Sequence, residues 1–588
     1  MQPLNIIQKW MKENKIDVFI INRTDEFLNE YIASYAERLN WISNFSGSSG
    51  RAIIETDNAF IFVDGRYTNQ ANQEVNKTYF DIKHIESYWN HIQNYSNSSK
   101  KILIDPSLHS INEVQRIKNI FQDSSIKLDF LQKNPIDQFW SEQPDYPNAS
   151  AFLQSEKYSG ENFKDKIKKI QNNIQSNFID FYILSSLDSI AWLLNIRGDD
   201  LQYTPLLFCY AIIPNRGKIE LFVDKEKIEE ISNKIIDSVN FHSFDKIETY
   251  INNINNINNK KIIGMDEKTT PYILYDICKN RGLTISFYED PCLYPKAIKN
   301  KTELDGARKA NLRDGVSISK FLYWLKNEIE VDEIDELKAA DYLLNLRKKN
   351  QLFHSPSFET VSAVGSNAAL PHYRVNEESN KKFQNNSLYL VDSGAQYRDG
   401  TTDITRTIII GKPTQEQKDR FTRVLKGHIA VAEARFLINA KSSEIDFLAR
   451  KSLKEINCDY DHGTGHGIGS FLSVHEGPQR ITKSSNSNNG VIKQGMILSN
   501  EPGFYKEGEY GIRIENLVIC HTNNKNHLYF ETISWAPIER DLIDNSMLSE
   551  KEIFWLNDYH REVYEKIGPY INKKELEWLA NVTSPLSK

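Results

Sequence analysis

Leu4, Ile7, Trp10 and Met11 recur at helical spacing, and the apolar run Val18–Ile21 follows, so the chain opens as a helix feeding a buried strand. The stretch RAIIETDNAFIFVDGRY adds strands and turns. A second helix-then-strand pair, FKDKIKKIQNNIQSNFIDFYIL, follows a break at residues 141–150, where polar residues and prolines cluster. Two α/β units are therefore expected, divided near residue 150. The isoleucines of the tract INNINNINNKK (251–261) recur every third residue, which suits a short amphipathic surface helix as well as a linker.

After about residue 300 the pattern changes. TELDGARKANLRDGVSISKFLYWLKNEI reads as a long amphipathic helix and EVDEIDELKAADYLLNLRKK as a second. Short β-like runs with turns are expected from there to about residue 540. The tail predicts one more helix, LSEKEIFWLNDYHREVYEKI, opened by a Ser549–Glu552 capping box and presenting Ile553, Leu556, Val563 and Ile567 on one face. Trp555 and Tyr559 either close the fold or cover a subunit interface.

At 588 residues the chain exceeds the size of a single core, so two or three domains are expected. Its formal charge of −7 argues against a nucleic-acid or anionic-membrane partner, whose binding surfaces are basic. The five cysteines follow no regular spacing, as reduced thiols of a cytoplasmic protein do. No apolar segment at the start resembles a signal peptide, and no run of about twenty apolar residues occurs.

Candidate chemistry lies in the last third. SLYLVDSGAQYRDGTTDITRTIII (387–410) reads as two strands joined around Arg398-Asp399-Gly400, each with an acid in an apolar setting, Asp392 and Asp403. A turn centred on Asp399-Gly400 sets residue 396 opposite 403, with both acids on one face but not directly opposed. A longer loop or a bulge would bring them nearer. Glu501 ends GMILSNEPG, and Glu515 shares a strand face with Arg513. HGTGHGIGSFLSVHEGP (462–478) concentrates three histidines and five glycines in seventeen residues. His462 and His466 have helical i,i+4 spacing, but the glycines between and after them argue for a loop that lets backbone approach an ion or substrate. A phosphate-binding reading of GTGHGIG lacks the required strand-then-helix context. Four carboxylates with one histidine carry a charge that two divalent cations neutralise. Oxygen-rich ligation favours Mn²⁺, with Co²⁺ and Zn²⁺ as alternatives.

The ordered set Asp392, Asp403, His466, Glu501 and Glu515 resembles the metal-ligand set of the pita-bread metallopeptidases. VDSGAQYRDGTTDITRT, HGTGHGIGSFLSVHEGP, SNEPGFY and GEYGIRIEN resemble the three-domain aminopeptidase P family among them. YIASYAERLNWISNFSGSSG with FVDGRYTNQA, and SSLDSIAWLLNIRGDDLQYTPLLFCYAII, resemble that family's first and second domains. The resemblance implies an α/β (α+β) chain: two creatinase-like N-terminal domains (1–150 and 151–300), then a pita-bread catalytic domain (301–588) with an extension from about 530. It implies that Asp392 binds one metal, His466 and Glu501 the other, and that Asp403 and Glu515 bridge them. His372 and His475 match substrate-contacting positions, His462 a histidine near the site, and Arg513 an arginine beside the bridging glutamate.

The implied activity is removal of any N-terminal residue ahead of a penultimate proline. The resemblance implies that two bound metals would supply an activated water, with Glu501 shuttling its proton and His475 steadying the oxyanion. A homodimer is implied as well. One departure is visible: this chain reads GSNAALPHY where the family commonly has Asn-Gly-Ala before the histidine. The alternatives are a prolidase-type Xaa-Pro dipeptidase, which the second N-terminal domain disfavours, and a non-catalytic peptide-binding module, which the full ligand set disfavours.

Overall fold

The computed structural model describes residues 2–254, 261–483, 490–523 and 526–587. The chain forms two compact units: residues 1–154 with 161–293, and residues 155–160 with 294–588.

The first unit holds two six-stranded sheets with one topology. In spatial order the first sheet runs Asp81–His84, Ala59–Val63, Arg51–Glu55, Val18–Asn22, Lys101–Ile104, Lys127–Phe130. The second runs Val239–His242, Ile219–Phe222, Tyr210–Pro214, Phe181–Leu184, Ile262–Met265, Thr284–Phe287. In both, an antiparallel meander makes up one half, and parallel strands flank it on each side. Val18–Asn22 is buried at every position, as a central strand covered on both faces must be. The parallel pairs are connected through helices, Ile111–Ile120 in the first sheet and Tyr272–Asn280 in the second. The helix Pro3–Glu13 buries Leu4, Ile7 and Met11 as its spacing predicts. The isoleucine tract begins inside the helix Ile247–Ile254; its residues 255–260 lie outside the described residues.

In the second unit the long helix spans Lys301–Asn327 and opens on an Asn300–Glu303 capping box. The next spans Glu336–Lys348, capped by the Asp335 side chain, so residues 330–335 fall outside it. The stretch expected to be short β runs contains two further helices, Gln415–Ala432 and Ser442–Lys454. The first has its own capping box, Thr414–Gln417, and buries Phe421, Val424, Leu425 and Ile429. Gly427 lets the second approach, since a Cβ there would stand 2.1 Å from the Ala449 carbonyl oxygen. The tail helix spans Glu550–Ile567 with the predicted Ser549–Glu552 box, and Ile553, Leu556, Val563 and Ile567 are buried. Tyr559 closes the fold from within: it is buried, stacks on Trp555 at 5.4 Å and accepts from Arg406 through its hydroxyl at 2.8 Å.

Three pieces of sheet carry the candidate residues. One comprises Val361–Val364, Ser387–Ser393 and Ile404–Ile410. A six-stranded sheet runs Arg435–Leu437, His527–Thr532, Asn516–Thr522, Ile497–Asn500, Gly465–Gly467, Glu476–Ile481. The hairpin of Gly503–Lys506 and Tyr510–Arg513 is the third. Among the described residues no helix is long and apolar enough to cross a membrane.

Candidate metal centre

The hairpin bearing the first two acids joins within Arg398-Asp399-Gly400, one residue ahead of a turn centred on Asp399-Gly400. Tyr397 pairs with Gly400 and Gln396 with Thr401, so the turn is Arg398–Asp399. The same register continues through Ser393 opposite Ile404 and Asp392 opposite Thr405. Thr402 N donates to Ala395 O at 2.9 Å, which sets position 394 against 403. Asp403 is therefore the diagonal neighbour of Asp392 on one face, a step closer than a turn at Asp399-Gly400 would allow. Gly394 permits the close pairing, since a Cβ there would meet Thr402 O at 1.9 Å. Gly400 is needed for helix packing: its Cβ would stand 3.1 Å from Ala307 Cα, and Asp399 pairs with Arg313 of the same helix.

The remaining acids reach the same place from neighbouring strands. Glu501 directly follows Ile497–Asn500, and its N–H donates to Thr464 O at 2.8 Å. Glu515 N donates to Thr405 O at 3.2 Å, while Glu515 Oε2 accepts from the Thr405 hydroxyl at 2.7 Å. His466 lies in a strand, Gly465–Gly467, rather than in the expected loop. Its Nε2 is 3.4 Å from Glu501 Oε1 and 3.6 Å from Asp403 Oδ2. Its Nδ1 is 3.0 Å from Gly467 O; that carbonyl accepts from Nδ1–H, so in the neutral ring the Nε2 lone pair faces the acids. Asp403, His466 and Glu515 each offer one ligand atom within 4.8 Å of the others. Asp392 Oδ1, Asp403 Oδ1 and Glu515 Oε1 are buried and accept no hydrogen bond. Such orphaned carboxylate oxygens are costly unless a cation uses them, so this donor set fits a metal.

The glycines around His466 answer to space. Gly463, Gly465, Gly467 and Gly469 do not have positive φ. A Cβ on Gly465 would meet Ser499 O at 2.1 Å, and one on Gly467 would meet Gln479 Nε2 at 2.2 Å and Glu476 O at 2.3 Å. They let adjacent strands press against the histidine from both sides, so the close approach is by protein backbone and side chain.

The other predicted residues occupy the surroundings. Arg513 Nη2 donates to Asp392 Oδ2 at 2.6 Å and to Pro371 O at 3.2 Å, which holds the backbone just ahead of His372 at the site. Arg513 Nη1 donates to the Tyr505 hydroxyl at 2.5 Å, and that hydroxyl is 2.9 Å from His462 Nε2. His462 thus communicates with Asp392 through Tyr505 and Arg513. The His475 ring meets the His466 ring edge to face, 4.3 Å between centroids. Tyr505 stands in the quoted SNEPGFY motif, and its linking role was missed. Arg406 was missed as well. It is buried behind Glu515, where Nη1 donates to the Glu515 carbonyl at 2.7 Å and Nη2 to Asn516 Oδ1 at 2.9 Å.

Burial and mutual repulsion dominate the electrostatics. Burial first, then Glu515, Asp392 and Glu501, hold Asp403 well above the usual carboxylate range. Glu515 is raised by burial and by Asp392 and Glu501. Burial pushes Glu501 up to about 7 against the pull of Arg513. These native carboxyls keep protons that the unfolded chain releases from about 4.5 upward, so the metal-free protein loses stability as pH rises toward and past 7. The melting temperature of metal-stripped protein is therefore expected to fall between about pH 5 and about pH 8, and saturating Mn²⁺ to flatten that fall. A melting temperature that rises over this window without metal would contradict the repulsive cluster.

Comparison with known proteins covers the whole chain. Metallopeptidase family M24 matches residues 305–522, and the C-terminal region of that family matches 526–586. The creatinase/prolidase N-terminal domain matches residues 4–130, and a second model of that description matches 142–303. The chain is 35% identical over 612 residues to a probable Xaa-Pro aminopeptidase P of Coprinopsis cinerea, covering 100% of this chain and 98% of that protein. It is 36% identical over 607 residues to Xaa-Pro aminopeptidase 1 of Dictyostelium discoideum, covering 99% and 96%. Among solved structures, the X-prolyl aminopeptidase of Caenorhabditis elegans, described as a cytosolic enzyme with a di-nuclear active site, superposes with a TM-score of 0.92 at 30% identity. That match covers 97% of this chain and 95% of that one.

Proposed function

The chain belongs to metallopeptidase family M24, and from that premise we propose that it is a metalloaminopeptidase hydrolysing the bond between an N-terminal residue and a penultimate proline. Its creatinase-like N-terminal α/β part precedes a pita-bread catalytic part. The division into domains near residues 150 and 300 belongs to the same proposal. One observation supports the chemistry above others: buried oxygens of Asp392, Asp403 and Glu515 accept no hydrogen bond, and Asp403, Glu515 and His466 each offer a ligand atom within 4.8 Å of the others.

Two divalent ions fit this donor set, and the oxygen-rich ligation favours Mn²⁺ over Co²⁺ or Zn²⁺. Asp392 would serve one ion, His466 and Glu501 the other, with Asp403 and Glu515 shared. When bound, the ions supply Lewis acidity toward the scissile carbonyl and acidify water at neutral pH. The chain's own residues supply the rest. Glu501 takes a proton from the attacking water and returns it to the departing proline nitrogen. His475 and His372 donate to the peptide around the scissile bond. Arg513 fixes Asp392, and His462 steadies Arg513 through Tyr505. An acylated proline nitrogen carries no N–H, which is why an ordinary peptidase lacks its usual handle on such a bond. We further propose a cytoplasmic homodimer; its nematode counterpart is described as cytosolic.

The test is release of arginine from Arg-Pro-Pro by metal-stripped protein. Mn²⁺ is expected to restore release, and to do so better than Co²⁺ or Zn²⁺. The dipeptide Arg-Pro is expected to be a poor substrate; turnover of the dipeptide alone would make the enzyme a prolidase. Folded protein that releases nothing with any divalent ion would be a binding module.

A further inference from the structure

The loop that carries His372 hangs on one buried carboxylate. Glu336, in the first turn of its helix, is 0% exposed. Its Oε1 accepts from Val364 N at 2.7 Å, and its Oε2 accepts from the Tyr373 hydroxyl at 2.9 Å and from Lys381 N at 3.0 Å. Asn367 Nδ2 lies 3.0 Å from both oxygens. Glu336 has no ion-pair partner among the described residues, so the loop's own donors are its solvent. That isolation is costly to a charge, and burial raises the carboxyl above its usual range.

These donors span residues 364–381 and so bracket His372. Its following neighbour, Tyr373, is tied to Glu336; the carbonyl of its preceding neighbour, Pro371, accepts from Arg513, which also grips Asp392. The loop rests directly on the Tyr510–Arg513 strand, since a Cβ at Gly511 would lie 1.7 Å from Ala368 O. Asn367, in the stretch GSNAALPHY that departs from the resembled pattern, is thus a structural tie to Glu336.

We propose that Glu336 is a positioning residue for the reaction: through Tyr373 and Asn367 it sets the backbone of His372 against the Arg513–Asp392 pair. The inference rests on the aminopeptidase reading above. It depends on charge as well as shape. Val364 N and Lys381 N, one on each oxygen, are backbone donors that cannot reverse, and an isosteric amide would set an N–H₂ group against one of them.

The experiment is a double-mutant cycle on the metal-loaded full chain with Arg-Pro-Pro, combining Glu336→Gln with His372→Ala and measuring kcat, KM and bound metal. Glu336→Gln is expected to lower kcat about 10- to 100-fold, the scale of a misplaced catalytic group, with both metal equivalents retained. KM should move less than about threefold. In the His372→Ala background the same substitution should cost under about twofold. Equal losses in both backgrounds, loss of metal, or an unchanged kcat would overturn the assignment. If Glu336→Gln does not fold, Tyr373→Phe removes a single donor and enters the same cycle, with a smaller loss of about threefold or more expected only when His372 is present. A wild-type chain inactive on Arg-Pro-Pro would defeat the aminopeptidase reading instead, which keeps the two failures apart.

Discussion

Glu501→Ala and His466→Ala will each cut turnover of Arg-Pro-Pro by more than about 100-fold, the upper end of what losing an outer-shell partner costs a metal site. The fold will survive, because His466 lies in a strand and Glu501 directly follows one, and the backbone hydrogen bonds there do not involve either side chain. Stability should respond in a particular way. Glu501, half-buried, is one of several acids that repel one another, with its carboxyl pushed up to about 7, so its removal relieves the metal-free protein. The metal-stripped Glu501→Ala variant should melt no lower than metal-stripped wild type above about pH 7, while the rise on adding Mn²⁺ shrinks. Near-wild-type turnover in either variant would remove that residue from the ligand set.

Gly467→Ala will damage the protein twice over. Its Cβ would stand 2.3 Å from Glu476 O and 2.2 Å from Gln479 Nε2, distances that a backbone oxygen cannot accommodate without a strand shift. Overpacking of this kind costs about 1–3 kcal/mol, sometimes more. The shift would also move His466, one residue away, and His475, which directly precedes Glu476. A displacement near 1 Å at reacting groups costs about 100-fold in rate. Gly463→Ala is the control, because its Cβ would meet Ile481 O at a milder 3.3 Å. Melting temperature and kcat/KM should therefore separate the two variants; a Gly467→Ala protein as stable and active as Gly463→Ala would show that the strand is not pressed as described.

Much of this was legible in the chain. An acid in an apolar stretch needs a reason, and four of them near a histidine cluster drew attention to Asp392, Asp403, Glu501 and Glu515. The Ser549–Glu552 capping box located the start of the last long helix, and the same Ser/Thr-x-x-Glu/Gln signal at Thr414–Gln417 was present but unread. That helix opens with the polar run QEQKDR, which hides its amphipathic face until Phe421. The hairpin joins within the Arg398-Asp399-Gly400 stretch as the sequence suggests, but the Asp-Gly pair, a strong turn signal taken locally, is not its centre. Gly400 serves instead to admit the Lys301–Asn327 helix, a demand from residues far away in sequence. The glycines beside His466 misled in the same manner: composition reveals that small residues are required, and only the packed sheet reveals what presses on them. Glu336 and Arg406 gave no local signal, since their worth lies in what surrounds them.

Arg406 also ties the catalytic centre to the last long helix. Its guanidinium spends its donors on carbonyls, one amide oxygen and the Tyr559 hydroxyl, and makes no ion pair among the described residues. Tyr559 belongs to the tail helix, past residues 305–522 and inside the segment 526–586 that matches the family's C-terminal region. A fragment ending ahead of that helix would keep all five proposed metal ligands, yet it would strip a partner from the buried cation that braces Glu515 and Asn516. Through the Tyr559 hydroxyl and its buried Ile553, Leu556, Val563 and Ile567, the last long helix is thus tied to the backbone that carries Glu515, well past the final proposed ligand in sequence.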